Sequence, residues 1–251
     1  MRAPRAKRSK AELARPRHGV ARVISKLGVC SRTQAARYVA EGRVAVNGRV
    51  VRDPETPVDA ACDRVTLDGE ALAAAERIYL ALNKPRGYIT TAADERGRET
   101  VYALLAGAGL PWIAPVGRLD KASEGLLLLS NDSAWAARIT SPDTKVDKTY
   151  HVQIDRVPDA ALLASLRRGI EDRGEFLGAK QVAELRRGSA NSWLEIVLDE
   201  GRNRQIRRLL AAYDVGVLRL VRVAIGPVAL GRLGKGQFRR LDAMEVAAFA
   251  R

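Results

Sequence analysis

Gly117-Arg118-Leu119-Asp120-Lys121-Ala122-Ser123-Glu124-Gly125-Leu126-Leu127-Leu128-Leu129-Ser130-Asn131-Asp132 is the stretch from which the rest of the chain is read. A polar loop runs into four consecutive leucines. That run is far too short to span a bilayer, and it predicts a buried strand. A carboxylate beside such a strand is fixed by the scaffold. Arg118 and Lys121 flank Asp120 and put positive charge next to it. On these residues alone, the simpler reading of Asp120 remains a turn aspartate salt-bridged to a neighbour.

Working outward, Lys148-Thr149-Tyr150-His151-Val152 reads as a strand. Tyr150, Val152 and Ile154 then share one face. An aromatic there either belongs to the core or stacks on a base drawn out of its helix. Further on stands Glu200-Gly201-Arg202-Asn203-Arg204-Gln205-Ile206-Arg207-Arg208. Ile206, Leu209, Leu210 and Tyr213 form the core stripe of a helix. Arg204, Arg207 and Arg208 lie on a neighbouring stripe. Three guanidiniums so close repel unless anions neutralise them. Phosphates, a catalytic carboxylate or acids from elsewhere in the fold would all serve.

Upstream, residues 1–19 read as a disordered basic tail, with seven arginines and lysines opposed by Glu12. Residues 20–70 read as a separate module. Val20, Val23, Ile24 and Leu27 have helical spacing. Ser31 and Gln34 form a capping-box pair for a second helix, which Gly42 ends. Asn47-Gly48 between short apolar runs signals a hairpin. Arg22, Lys26, Arg32, Arg37, Arg43 and Arg49 recur through the module with Glu41 as the one acid before Asp53. A solvated face ordinarily mixes signs, so this pattern favours contact with phosphates. Residues 71–76 read as a linker, and 77–251 as a larger domain.

In that larger part, strand-like runs occur at 78–82, 126–129, 150–154, 193–198 and 217–225. Helical stretches fall near 134–139, 160–168 and 203–213. Asp242 and Glu245 cap a short terminal helix. Gly231 to Gly236 reads as a turn-rich hairpin. The mixture predicts an α+β domain with a large, mostly antiparallel sheet.

Composition narrows the chemistry. The 251 residues carry 43 Lys and Arg against 29 Asp and Glu, a net charge of +14, which favours a polyanionic partner. Two histidines far apart exclude a His-rich zinc site and leave little for a Ser-His-Asp triad. Two cysteines make no disulfide framework, and the basic N-terminus has no apolar run behind it, so a reducing cytoplasm is expected. Gly107-Ala108-Gly109 lacks the third glycine of a dinucleotide fingerprint, and Gly234-Lys235 lacks the spacing of a phosphate loop. No basic amphipathic helix with bulky apolar anchors points to a membrane surface.

Two resemblances emerge from these residues. Arg22 to Arg32, Ala35-Ala36-Arg37 and Gly42 to Gly48 resemble the alpha-L (S-four-type) RNA-binding module. Gly117 to Asp132, Lys148-Thr149-Tyr150 and Glu200 to Arg208, in that order, resemble the motifs of bacterial ribosomal-RNA pseudouridine synthases of the RsuA type. Ser123 and Ser130 stand where that family often has Thr, and both keep the hydroxyl.

The resemblance implies a small helix-hairpin module ahead of a catalytic domain of pseudouridine synthase fold. It implies site-specific isomerisation of uridine in ribosomal RNA, as structured RNA or in assembling subunits, without cofactor or metal. A monomer is expected, since no heptad or broad apolar face suggests otherwise. Asp120 would be the catalytic carboxylate, Tyr150 would stack on the uracil, and Arg207 would pair with Asp120. Ile206 would pack against the site, and Arg118 would orient the flipped nucleotide. Arg204 and Arg208, with Arg22, Lys26, Ser31, Arg32, Arg37, Arg43 and Asn47 of the module, would contact RNA. The rival is a catalytically silent RNA-binding assembly factor, for which the basic tail and module would suffice.

Overall fold

The computed structural model describes residues 17–92, 94 and 96–249. Residues 1–16 of the expected tail lie outside these. The chain divides into two compact units, one of residues up to Glu76 with Pro111–Ile113, the other of Arg77–Leu110 and Ala114 onward.

The smaller unit starts earlier than expected, because His18–Gly19 form a short strand, β1, and Arg17 donates to the Pro57 carbonyl at 2.9 Å. Helix α1 (Val20–Lys26) and helix α2 (Arg32–Ala40) follow. Ser31 caps α2 by accepting from the Gln34 amide at 3.0 Å. The return half of the expected capping box is missing, and the Gln34 Nε2 is buried without a hydrogen-bond partner.

Strands β2 (Val44–Val46) and β3 (Arg49–Val50) form the hairpin, with Asn47 and Gly48 both at positive φ as its turn requires. β4 (Pro57–Val58) pairs with β1. β5 (Val65–Leu67) and β6 (Glu70–Ala71) complete a four-stranded sheet in the order β3-β2-β5-β6. The expected linker at 71–76 is therefore built into this unit. Leu72 packs on its core, and the Ala75 amide donates to the Leu27 carbonyl at 2.9 Å.

The larger unit begins with β7 (Tyr79–Lys84), then β8 (Ala114–Val116) and β9 (Glu124–Ser130). Every residue of β9 is buried, as the four leucines require. At about 1.5–3 kcal/mol for each fully buried aliphatic side chain, this strand anchors the sheet. Helix α3 (Ser133–Thr140) is capped by the Asp132 carboxylate. β10 (Lys148–Ile154) precedes helix α4 (Ala160–Arg168). β11 (Ile170–Asp172) and β12 (Glu175–Leu177) form a hairpin, and β13 (Gln181–Arg187) and β14 (Ser192–Leu198) join the main sheet. Helix α5 (Gln205–Ala211), β15 (Val217–Ile225), β16 (Val228–Ala229), β17 (Phe238–Arg240) and helix α6 (Ala243–Ala247) close the chain. Asp242 and Glu245 make the full capping box of α6.

The main sheet has nine strands in the order β13-β14-β10-β15-β9-β7-β17, with β16 on β15 and β8 on β9. Its pairings are antiparallel except β15 with β9, so the fold is α+β with a mixed, mostly antiparallel sheet. The glycine-rich turn at 231–236 is not a hairpin: β16 pairs with β15, whereas β17 crosses to pair with β7. One core packs α4 and α5 against β10, β14 and β15. A second surrounds Trp135, whose ring meets those of Tyr79 and Phe249 edge-on at 5.0 and 5.6 Å. Among the described residues no helix is long and apolar enough to cross a membrane.

The single parallel contact depends on Gly125. It sits at φ +103°, opposite Arg222, and a Cβ there would collide with the Arg222 backbone carbonyl and lie 2.8 Å from its nitrogen. Gly125→Ala is expected to destabilise the protein by about 3 kcal/mol or more, from strain plus steric overlap. Chemical denaturation of the purified variant measures it. A loss below about 1 kcal/mol would refute this account of the β9–β15 junction.

Candidate active site

The loop before β9 carries six consecutive carbonyls, from Arg118 to Ser123, and each has a donor from outside its own turn. Arg222 Nη1 reaches the Arg118 oxygen at 3.5 Å, and Thr90 Oγ1 reaches that of Leu119 at 2.8 Å. Lys84 Nζ donates to Asp120 at 3.1 Å and to Ser123 at 2.8 Å. The Gly87 amide meets Lys121 at 2.9 Å, and Arg207 Nη2 meets Ala122 at 3.3 Å. An irregular loop next to a buried strand needs such satisfaction, because an unpaired buried carbonyl costs about 1–3 kcal/mol. Here three of the donors are cations, so positive charge is stored beneath Asp120.

Lys84 is the centre of this arrangement. It ends β7, is 0% exposed, and spends its third N–H on the Pro85 carbonyl at 3.1 Å. Burial pushes its ammonium down to about 8, against the attraction of Asp120. The sequence marks it only as part of a basic turn. Glu124, the first residue of β9, is also buried. Burial would raise its carboxyl, but Lys235 at 2.7 Å and Arg219 at 2.9 Å outweigh that and hold it below its ordinary value.

Asp120 itself is 40% exposed and opens onto a cavity of about 460 Å³. Its ion pair is with Arg204, whose Nη1 lies 3.8 Å from Oδ2. Arg204 stands at the start of α5 with φ +49°, a left-handed conformation that a non-glycine residue adopts at a cost of about 1–3 kcal/mol. The expected Arg207–Asp120 pair is replaced by this one, because Arg207 projects one turn further along α5, under the loop. There its Nε is buried without a partner. Burial, then the charge of Arg204, push the Arg207 guanidinium below its ordinary value, with Asp120 opposing.

Tyr150 lines the same cavity from β10, and Ile206 lines it while belonging to the core. Arg118, exposed, borders the mouth beside Asp120. Arg222, in the wall, and Lys148 received no role from the sequence. Lys148 is half-buried, and burial followed by the charge of Arg222 pushes its ammonium down. Arg208 departs from expectation. It is bound to Asp172 and Glu175 of the β11–β12 hairpin, at 2.6 Å to the latter, and its side chain is largely covered. It braces the hairpin and is not free for RNA.

In the smaller unit several of the cations have acidic partners, two of them supplied from far along the chain. Arg43 pairs with Asp68 at 2.6 Å, Arg32 with Glu55 at 2.8 Å and Arg37 with Glu41 at 3.5 Å. Lys26 lies 3.5 Å from the His18 ring. Ser31 is spent on its helix cap. Asn47 is spent on the Asp63 carboxylate and the Arg64 amide, each at 2.9 Å. Arg22 remains exposed on α1. These pairs lie at the surface, where solvent and salt screen them.

Comparison with known proteins agrees with this geometry. A family model described as RNA pseudouridylate synthase matches residues 78–212, and one described as S4 domain matches residues 19–65. The chain is 38% identical over 222 residues to an uncharacterised RNA pseudouridine synthase of Rickettsia bellii, covering 88% of this chain and 96% of that one. It is also 38% identical over 226 residues to one of Aquifex aeolicus, with 89% and 90% coverage. A crystal structure of a pseudouridylate synthase superposes with a TM-score of 0.65 at 30% identity, over 92% of this chain and 99% of that one. The chain belongs to the RNA pseudouridine synthase family, and its reaction is the isomerisation of uridine in RNA.

Lys84 gives this site a pH signature. The ammonium has three N–H groups for three carbonyls, and the free amine has two, so activity is expected to fall as pH rises through about 8. The stability contribution runs the other way. A lysine whose folded value lies below its ordinary 10.5 costs stability below about pH 8 and ceases to cost it as pH climbs towards 10.5. Rate and denaturation profiles of wild type and Lys84→Arg measure both, and the Arg variant should lose the alkaline limb. An identical limb in the two proteins would remove Lys84 from the explanation.

Proposed function

We propose that the RNA is ribosomal, that Asp120 is the catalytic carboxylate, and that the protein acts as a cytoplasmic monomer on structured RNA or assembling subunits. The observation that carries this reading is the placement of Asp120. It is a half-exposed carboxylate on a fully satisfied loop, paired with Arg204, facing a cavity of about 460 Å³ that Tyr150 also lines. That volume falls in the ordinary range for a small-molecule site, and one flipped-out nucleotide fits it.

In the reaction the N1–C1′ bond of uridine breaks, with its electron pair going to the uracil. The base turns, C5 bonds to C1′, the C5 proton leaves and N1 takes up a proton. Atoms and oxidation states balance without a co-substrate. Asp120 acts at the ribose, either by attacking C1′ or by promoting elimination in the sugar. Tyr150 stacks on the uracil, Arg204 orients the carboxylate through its ion pair, and Arg207 supports the loop from below. Arg118 guides the nucleotide at the mouth, while Ile206 closes the floor. Arg22, Lys26, Arg32, Arg37 and Arg43 draw in the phosphate backbone through the smaller unit.

A silent assembly factor would need the basic unit alone, and the assembled carboxylate, aromatic and arginines argue against it. The test is a map of pseudouridine in ribosomal RNA from the parent cell with wild-type protein, Asp120→Asn or no protein. One position should vanish in both altered strains, and the purified variant should lose more than about 1000-fold in rate. Persistence of every position in both strains would overturn the ribosomal assignment. For the smaller unit, Arg22→Ala should weaken RNA binding evenly across sequences and lower the salt slope by about one. An unchanged slope would take α1 out of the interface.

A further inference from the structure

The cavity wall holds a guanidinium whose second terminal nitrogen nothing above employs. Arg222 is 5% exposed on β15, and it lies beyond the residues that the synthase family model matches. Its Nε donates to the Leu126 carbonyl at 2.8 Å, and its Nη1 reaches the Arg118 carbonyl at 3.5 Å. Its Nη2 is buried and has no partner. A buried cation with two idle N–H groups is expensive to keep, unless an acceptor arrives from outside the protein.

The sheet register says where that acceptor would be. Arg222 is the cross-strand partner of Tyr150, so the two side chains project from the same face, and both line the cavity. On its other side Arg222 pairs with Gly125 of β9 and touches Arg118, two residues before Asp120. It therefore stands between the aromatic and the carboxylate loop. We propose that Arg222 Nη2 donates to the uracil carbonyl nearest the ribose, O2, and stabilises the negative charge that the base acquires as N1–C1′ breaks. This rests on the assignment of Asp120 to the ribose and Tyr150 to the base.

The ring's own symmetry makes one fixed donor sufficient for the whole reaction. Turning uracil by a half-turn about the line through N3 and C6 exchanges N1 with C5, and with them O2 with O4. The donor that meets O2 before the turn meets O4 after it. The charge is met at the start and at the end of the turn, and the base is guided to the orientation in which C5 faces C1′. Cytosine carries an amino donor in place of O4, so its turned form would set donor against donor. A base carbonyl suits the position better than a phosphate does. The phosphates of a flipped nucleotide stay on the backbone at the mouth, beside Arg118, whereas Arg222 lies in the wall.

The experiment is an atom-for-atom cycle between enzyme and RNA. Ribosomal RNA transcripts containing uridine or 2-thiouridine are turned over in single-turnover reactions by wild type and by Arg222→Met. Products are resolved by nucleoside chromatography with mass detection. Sulfur is a weak acceptor, so the ratio of uridine to 2-thiouridine rates should fall roughly 10-fold in Arg222→Met relative to wild type. Effects of thiolation on RNA folding, or of the variant on the loop, cancel in that ratio. Arg222→Lys, which keeps the buried charge but not the three-way fork, should shift it likewise and serves where Arg222→Met does not fold.

An unchanged ratio overturns the proposal. Asp120→Asn, run alongside on the uridine transcript, separates the two levels. If that variant is inactive and the ratio is unchanged, only the role of Arg222 falls. If Asp120→Asn stays active, the assignment on which the proposal rests falls first.

Discussion

A buried ammonium beneath a loop of carbonyls is the constraint on which the active site depends. Lys84 offers three N–H groups to Pro85, Asp120 and Ser123, and no water reaches it to take their place. Arg222 and Arg207 extend the same pattern to Arg118 and Ala122. The loop is irregular backbone, yet its carbonyls are satisfied as fully as those of a strand. Rigid placement of a carboxylate to within a fraction of an ångström requires that kind of support, since small misplacements of a reacting group are costly in rate. The three cations also set the field in which Asp120 and an arriving polyanion meet.

The sheet makes this arrangement possible. β7 delivers Lys84, β15 delivers Arg222 and β9 carries the loop, and these strands are neighbours through one parallel and one antiparallel contact. α5 adds Arg204 and Arg207 by resting its apolar stripe on β10, β14 and β15. The strained φ of Arg204 marks where the helix start has been bent to aim a guanidinium at the carboxylate. Strain at a site is tolerated when the surrounding core over-determines it, and Ile206, Leu209 and Leu210 are buried directly behind.

Much of this was legible in the chain. The four leucines announce a buried strand, the spacing of Ile206, Leu209 and Leu210 announces the helix, and the ordered motifs point to Asp120 and Tyr150. The cations that support them were not legible. Lys84 looks like any lysine before a proline, and only the tertiary fold shows that it is enclosed. Arg222 did leave a trace, because it shares with Leu220 the inward parity of a strand, and an arginine on an inward face is a signal of a buried donor. Arg208 misled for the opposite reason. Its acids, Asp172 and Glu175, stand 36 and 33 residues earlier on a hairpin whose alternation is too short and polar to read as strands. The same distance effect hid the partners of Arg32 and Arg43 in the smaller unit.

The most direct measurement of the account is the crystal structure of Lys84→Met. Methionine preserves the volume and the apolar stem but removes the three donors. The account predicts that β7 and β9 keep their register while residues 118–123 rearrange, carrying the Asp120 carboxylate out of its ion pair with Arg204. A loop left in place, with Asp120 still beside Arg204, would contradict the claim that buried cations under the carbonyls hold the Asp120 carboxylate.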